Sequence, residues 1–551
     1  MAKVLFVNPV VREEDEPRHV PYGIALLAAI VMRDGHQVQV YDANAWRLDD
    51  EVLRQVLGAD EWDVVATGGI TTTYGYVKKI CGLAKEVAPK ARLVVGGGLL
   101  TAMPREILTL IPQIDLGVVG EAFVTFSELL AAIDRGACDP MAIDGLIVRG
   151  DDGRLHLTPP RTLVQDLDGT LPYPAYHLFP LEEVYFKNSM ALFSEEGMTA
   201  RRRLDINASY GCSLVCKFCF HLGIAGDMKY VTNENGEQDV LFDAPSTYTR
   251  EIRYHSPRYI VDFVKYLKQT YDVDFIGFLD ENLMTMDMSS RRTWMKEICR
   301  LWIEEGLQPP CVRDGVPHDE TCHGVHWSGT SHATLCNPEI LRLMRQAGCS
   351  HLVYGYESFS KQIMKRLGKG ATPDTNIKSF FWTLECGIRP IPNQIMGFPT
   401  EDFDSLRDCM RAWEKLGIVV KPFFATPYPG SEWFHTYRDQ ILSQYDGDME
   451  KFLLDLGDAT RVTAVISHNF NAVELYGLRE LMVTFNYKRI AEYESTWRAM
   501  QPEANAFALA DEALRQATPE KGPVQPDGSA PLRLARRGAA QATSAGIATI
   551  E

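Results

Sequence analysis

Three cysteines fall within eight residues, Cys212, Cys216 and Cys219, at C-x3-C-x2-C spacing. The run before them, Leu204 to Tyr210, suits a short strand, and Gly211 permits a sharp turn. The trio is therefore expected on a loop leaving a strand end. Thiolates this close repel one another unless a metal takes up their charge. Three of them can hold three irons of a four-iron cluster, leaving the fourth iron open to a small chelator such as an amino acid. Zinc is a second reading, with His221 as fourth ligand in C-x3-C-x2-C-x-H. A disulfide is weaker, since three cysteines cannot pair among themselves.

The other constraints are looser. A chain of 551 residues has room for two to four domains. Its 46% hydrophobic and 23% charged residues are those of an ordinary soluble protein. A net charge of −17 argues against wide contact with a phosphate backbone, so no nucleic acid partner is expected. Twelve scattered cysteines and a strand-like N-terminus without signal-peptide parts point to a reducing cytoplasm. No apolar run reaches the roughly 20 residues of a membrane span.

Over residues 1–145 strands alternate with helices. Lys3 to Asn8, Gln37 to Tyr41, Asp63 to Thr67, Arg92 to Val95 and Val118-Val119 read as strands, and Ile24 to Arg33 as a helix stopped near Gly35. That alternation predicts a doubly wound parallel sheet, whose ligands sit at the carboxyl ends of the strands. Those ends carry Thr67-Gly68-Gly69-Ile70-Thr71, Gly96-Gly97-Gly98 and Gly120-Glu121. Glycine lets a ligand approach the backbone closely, although each also suits a tight turn. The absence of G-x-G-x-x-G after the first strand disfavours a dinucleotide.

Residues 146–203 read as a linker with a hairpin turn at Asp151-Asp152-Gly153 and a proline-rich stretch from Asp166 to Tyr176. Tyr176 stands between two ligand sites, or is part of a spacer. Alternation resumes over residues 204–430, with strands at Phe275 to Leu279, Val325 to Gly329, His351 to Tyr356, Pro392 to Met396 and Val419 to Phe424. Ser256-Pro257, Asn337-Pro338 and Thr372-Pro373 are cap-proline helix starts. Six strand–helix units predict a partial barrel. Three of its strand ends are polar: Asp280-Glu281-Asn282, Gly355-Tyr356-Glu357-Ser358 and Gly397-Phe398-Pro399-Thr400-Glu401.

The cysteine loop, with aromatic Phe218 before its third cysteine, resembles that of the radical S-adenosylmethionine (SAM) superfamily. Pro21-Tyr22-Gly23-Ile24-Ala25-Leu26-Leu27-Ala28-Ala29 and the glycine strand ends are similar to the cobalamin-binding domain that precedes many radical SAM domains. Over residues 1–430 the chain thus resembles the cobalamin-dependent radical SAM enzymes. The resemblance implies a 4Fe-4S cluster on Cys212, Cys216 and Cys219, screened by Phe218. It implies SAM against Asp280, Asn282, Glu357 and Gly397, and cobalamin against Tyr22, Gly23, Gly68, Thr71, Gly97, Gly98, Gly120 and Glu121. The D-x-H-x-x-G signature of cobalt-ligating proteins is missing, so no histidine is expected beneath cobalt; Tyr74 or a water would face that side.

The commonest reaction of that family is methylation of an unactivated carbon through a 5′-deoxyadenosyl radical and methylcobalamin. The substrate would be a small molecule, peptide or lipid precursor, with flavodoxin or ferredoxin as electron donor. Cyclisation, ring rearrangement, oxidation or carbon–carbon coupling is the alternative with the same cofactors. A cobalamin carrier or sensor is the alternative of another class. Hydrogen abstraction needs no general base, so no catalytic residue is assigned.

The insertion from His221 to His255 is expected on the active-site face, shaping a substrate pocket. Another, from Pro309 to His326, is expected on the opposite face; it holds Cys311, His318, Cys322, His323 and His326 in spacings that fit no standard metal motif and reads as a plain loop or a structural metal site. Residues 431–501 read as a helical cap over the barrel mouth, with Ser467 to Asn471 a polar surface loop that could touch substrate. Residues 502–551 read as a flexible tail.

Overall fold

The apolar runs become strands of two parallel sheets. The computed structural model describes residues 1–500 apart from 137, 191–192, 215, 221–228, 233–235, 241–251, 291–292 and 320–321. The first sheet has seven strands: β1 (Lys3–Asn8), β2 (Gln37–Asp42), β3 (Val64–Gly68), β4 (Arg92–Gly96), β5 (Leu116–Val118), β6 (Leu146–Arg149) and β7 (Leu155–Leu157). Their order is β2-β1-β3-β4-β5-β6-β7, with β1 to β5 parallel. The predicted doubly wound sheet is therefore present. It extends further than expected, because β6 and β7 add antiparallel strands beyond residue 145. Asp151-Asp152-Gly153 makes the turn of that hairpin, with Gly153 at φ +77°.

One face of this sheet packs Val4, Phe6, Val64, Val94 and Leu146 against Ala28 and Phe126 of the flanking helices Tyr22–Arg33 and Ala122–Asp134. Burying each such side chain contributes about 1.5–3 kcal/mol.

The second half begins with β8 (Arg203–Ile206) and β9 (Ser209–Tyr210). A hairpin of β10 (Tyr230–Thr232) and β11 (Gln238–Val240) follows, then β12 (Arg253–Tyr254), which pairs antiparallel with β9. The remaining strands are β13 (Phe275–Phe278), β14 (His326–Ser331), β15 (Cys349–Glu357), β16 (Arg389–Met396) and β17 (Phe423–Phe424). They join β8 in a parallel six-stranded sheet of order β17-β16-β15-β14-β13-β8, an open, curled half-barrel. The partial barrel expected from six strand–helix units is what forms. β17 is shorter than predicted, since only Phe423–Phe424 pair with β16.

The helix starts form as capping chemistry demands. Ser256, Asn337 and Thr372 accept from the backbone N–H of Tyr259, Ile340 and Thr375, each with proline at the first helical turn. Each cap contributes about 1 kcal/mol.

Helix Met449–Asp455 packs on helix Tyr74–Val87 of the first half, and Ala472–Val483 on Phe403–Leu416. The chain divides into a compact unit of residues 1–492 and a second of 493–551. Within the second, Arg498 pairs with Glu494 at 2.7 Å. The tail expected over residues 502–551 lies outside the described residues.

Candidate active site at the carboxyl ends of two sheets

The chain leaves β8, passes β9, turns at Gly211 (φ +106°) and enters the cysteine loop. The loop is fixed from three sides. Buried Asp280, beyond the end of β13, accepts from Ala208 N at 3.0 Å and from the Ser209 hydroxyl. Burial pushes its carboxyl up to about 6, although Ser209 and Ala208 oppose the shift. Lys217 O accepts from Trp433 N at 3.1 Å, and Lys217 pairs with Glu432 at 2.9 Å. Phe218 packs against Trp433 at 5.6 Å, with the Lys369 ammonium 6.0 Å above its ring.

Burial pushes the Cys219 thiol well up, and Glu281, Cys216 and Cys212 add to it while Lys369 opposes. Sulfurs in such a setting become thiolates when a cation binds them. The donor set therefore fits a metal cluster. Of the zinc alternative, the proposed fourth ligand His221 lies outside the described residues.

The other strand ends converge on the same face. Glu357 ends β15 in a left-handed conformation (φ +60°) after a register shift, and its carboxylate pairs with Lys369 at 2.5 Å. Both side chains are over nine-tenths buried. Gly397 (φ +86°) follows β16, and its N–H donates to the buried Glu401 carboxylate. Glu401 is thus a local cap. Asn469 ties the Ser467 to Asn471 loop down by donating to Glu401 O at 2.7 Å.

Among the described residues, two buried amide nitrogens of the half-barrel, Asn282 Nδ2 after β13 and Gln394 Nε2 on β16, have no protein partner, whereas His332 after β14 meets the backbone of Lys369. Burial and the nearby Lys369 lower His332 to about 4, so its ring is neutral at pH 7. Unpaired buried groups of this kind normally find a partner, either an ordered water or a ligand.

The glycine ends of the first sheet pack closely on one another. A side chain at Gly68 would run into Gly96 O, and one at Gly97 (φ +81°) would stand 2.9 Å from Gly69 O. At Gly98 a Cβ would make only ordinary contacts, with Gly69 O and the Phe220 ring, each at 3.8 Å. Phe220 follows Cys219 directly, and a side chain at Gly430 would strike its ring. The cysteine loop therefore reaches the glycine-lined edge of the first sheet.

The B12 binding domain family matches residues 9–130, and the radical SAM superfamily matches residues 206–412. The chain is a B12-binding domain joined to a radical SAM domain, the pairing of the cobalamin-dependent radical SAM enzymes. It is 26% identical over 424 residues to an uncharacterized methyltransferase of Pyrococcus horikoshii, covering 77% of this chain and 79% of the relative. It is 23% identical over 459 residues to an anaerobic magnesium-protoporphyrin IX monomethyl ester cyclase of Rubrivivax gelatinosus, covering 80% and 70%.

Among solved structures, the radical SAM methyltransferase TsrM of Kitasatospora setae, with tryptophan and a SAM analogue bound, superposes with TM-score 0.59 at 17% identity over 80% of this chain and 76% of that one. The cobalamin-dependent radical enzyme OxsB gives TM-score 0.56 at 14% identity over 75% of this chain. This chain spans 52% of OxsB.

Within this radical SAM architecture the expected contact residues separate. Cys212, Cys216, Cys219, Phe218, Asn282, Glu357 and Gly397 lie on one face, with Asp280 beneath them as a brace for the loop. Gly68, Thr71, Gly97, Gly98 and Gly120 line the ends of the first sheet; Gly120 N donates to Thr101 Oγ1 at 3.0 Å.

Other expected roles change. Glu121 is engaged by the Arg253 guanidinium at 2.7 Å and by Val164 N at 3.1 Å, so its carboxylate clamps the protein together. Tyr74 donates to Glu450 at 2.8 Å, which commits the hydroxyl expected beneath cobalt to the C-terminal helix. Tyr176 donates to Asp205 O at 2.6 Å, the spacer role. Tyr22 is buried beside Tyr210 and Asn207, and its hydroxyl is held up by that burial. A Cβ at Gly23 meets nothing within 4 Å, so nothing steric requires glycine there.

Of the first insertion, the described hairpin β10–β11 is held to the B12-binding domain, where Arg105 donates to Gln238 O at 2.5 Å. Sequence reasoning passed over Lys369, His332, Gln394 and Phe220. Gly368-Lys369-Gly370 has two glycines at positive φ after a helix, which reads as a helix stop.

Proposed function

We propose that this protein methylates an unactivated carbon of a small molecule, peptide or lipid precursor. The observation that carries the reading is the seat of Phe220, which places the cysteine loop against the glycine edge of the B12-binding domain. When bound, the cluster and SAM supply a carbon-centred radical, and cobalamin supplies a transferable methyl group.

Cys212, Cys216 and Cys219 hold the cluster, and Phe218 with Trp433 keeps water from it. Glu357 accepts hydrogen bonds from SAM hydroxyl or amine groups, while Lys369 balances its charge. Asn282 and Gln394 offer their unpaired amide nitrogens to the same ligand. Gly68 and Gly97 let the two strand-end loops pack backbone against backbone, and beside them Gly98 keeps this edge low enough to seat a broad planar ligand. Flavodoxin or ferredoxin is the electron donor in this reading.

The P. horikoshii relative, named a methyltransferase, supports methylation. A second reading keeps both cofactors and closes a ring without methyl transfer; the cyclase of R. gelatinosus favours it. The test is anaerobic turnover of reconstituted protein with methyl-labelled SAM and candidate acceptors. Label in the product together with deoxyadenosine supports methylation. An unlabelled, rearranged product with deoxyadenosine supports ring formation. No SAM cleavage with both cofactors loaded and reductant present rejects both and favours a cobalamin carrier or sensor.

A further inference from the structure

The segment between helix Trp294–Glu304 and β14 crosses the amino ends of the half-barrel strands, away from the cysteine loop. β14 alone separates the two faces by on the order of 20 Å. The segment closes on itself: a side chain at Gly324 would strike the backbone of Pro309. Between these ends most described residues are exposed and few are apolar, so burial gives little to hold the loop.

Yet four side chains meet there. The ligating atoms of Cys311, His318, Cys322 and His326 all lie within 4.8 Å of one another. Cys311 Sγ is 3.2 Å from Cys322 Sγ and 3.4 Å from His326 Nε2, and the two imidazoles stand nearly perpendicular, 5.1 Å apart. His323 is exposed and takes no part.

Both histidines are oriented from outside the cluster. His326 Nδ1 is 3.1 Å from Gly348 O, which leaves Nε2 toward the sulfurs. His318 Nε2 is 2.6 Å from Thr199 Oγ1, and its Nδ1 is buried without a partner. A ring nitrogen held by an oxygen fixes the tautomer and frees the other nitrogen to ligate a metal, the usual arrangement around a metal-bound histidine. A cavity of about 20 Å³, lined by His318, Cys322, His326 and Glu196 among others, adjoins the cluster.

We propose that these four residues bind a structural zinc ion. Two thiolates and two imidazoles match the softness and tetrahedral preference of zinc, and the thiolate charges balance a divalent ion. Four protein ligands close the coordination sphere, so the ion does no chemistry. At 3.2 Å the two sulfurs are free thiols and not a disulfide, whose S–S bond is about 2.05 Å. The site has a structural consequence as well. Thr199 belongs to the linker, as does Glu196, which pairs with Arg345 at 2.8 Å. The ion therefore pins the linker and the insertion to the base of the half-barrel.

The test is metal analysis of full-length protein purified anaerobically, together with zinc-edge X-ray absorption. The expected result is about one zinc per chain, with two sulfurs at about 2.3 Å and two nitrogens at about 2.0–2.1 Å. Cys311→Ser/Cys322→Ser and, separately, His318→Ala lose the zinc and melt at lower temperature, while iron content and cluster absorbance persist. A triple alanine variant at Cys212, Cys216 and Cys219 loses iron and keeps zinc. Wild-type protein without zinc overturns the proposal even if the variants fail to fold. So does a zinc spectrum with a different donor set, zinc that disappears with the cluster cysteines, or a Cys311–Cys322 disulfide found by mass spectrometry.

Discussion

Glu401 shows how a single side chain near the cofactor face can set a pH response. It is buried beyond β16, where its carboxylate accepts from Gly397 and Phe398 N–H. Burial pushes its carboxyl up to about 8. Between the ordinary carboxylate value, near 4.3, and about 8, the folded state holds a proton that the unfolded state has released. Stability conferred by the neutral form is therefore full at low pH and declines as pH rises through that window, by at most ~1.4 kcal/mol per unit. Above pH 8 the slope ends. Glu401→Gln keeps an acceptor for Gly397 and removes the titration. The variant should gain melting temperature relative to wild type from pH 5 to pH 8, and the difference should then level. Parallel melting curves across that range would show that Glu401 does not titrate there. The residues that the sequence hid share a cause: Lys369, His332 and Gln394 sit in no motif, and only the closing of the half-barrel buries them together.

At the scale of elements, strand–helix alternation and the three cap-proline starts were legible because they depend on local chemistry. Buried parallel strands must be apolar runs, and Ser256, Asn337 and Thr372 satisfy the N–H groups of their own helices. The hairpin β6–β7 was read as linker because its strands are only four and three residues long. The Cys311 to His326 cluster escaped any spacing rule, since its ligands come from a short helix, a loop and the first residue of a strand. The glycine ends were legible as a group, and geometry now separates their members. At Gly97, alanine would be strained (φ +81°) and pressed against Gly69 backbone, so Gly97→Ala should lower both melting temperature and corrinoid retention. At Gly98 a methyl group meets only ordinary contacts, so Gly98→Ala should fold normally. With the corrin seated at this edge, that variant should retain several-fold less corrinoid, measured by absorbance after gel filtration. Unchanged corrinoid in Gly98→Ala, with the melting temperature also unchanged, would place the ligand elsewhere.

The whole molecule depends on keeping two sheets in register, because the sites for SAM and for cobalamin are useful together only if they face one substrate. One buried ion pair spans that junction. Glu121 follows β5 of the B12-binding domain, whereas Arg253 lies on β12, opposite Tyr210 in β9, two residues ahead of Cys212. Their side chains are 7% and 2% exposed, and both also bond Val164 of the linker. Such a pair adds little over well-packed apolar groups, but removing one partner strands a buried charge at a cost of about 3–5 kcal/mol. Arg253→Met should therefore lower the melting temperature sharply, since Glu121 is left without its cation. Glu121→Gln added to Arg253→Met should recover at least half of that loss, because a neutral amide can still accept from Val164 N–H. The recovery is coupling between contacting groups, visible as non-additivity in a double-mutant cycle. The clamp joins the end of β5 to the strand paired with β9, just ahead of the cysteine loop, so Arg253→Met should keep its iron while product formation falls further than stability alone explains at a temperature where the variant stays folded. Additive losses in the cycle, or turnover that tracks the folded fraction, would reduce the pair to one more buried contact.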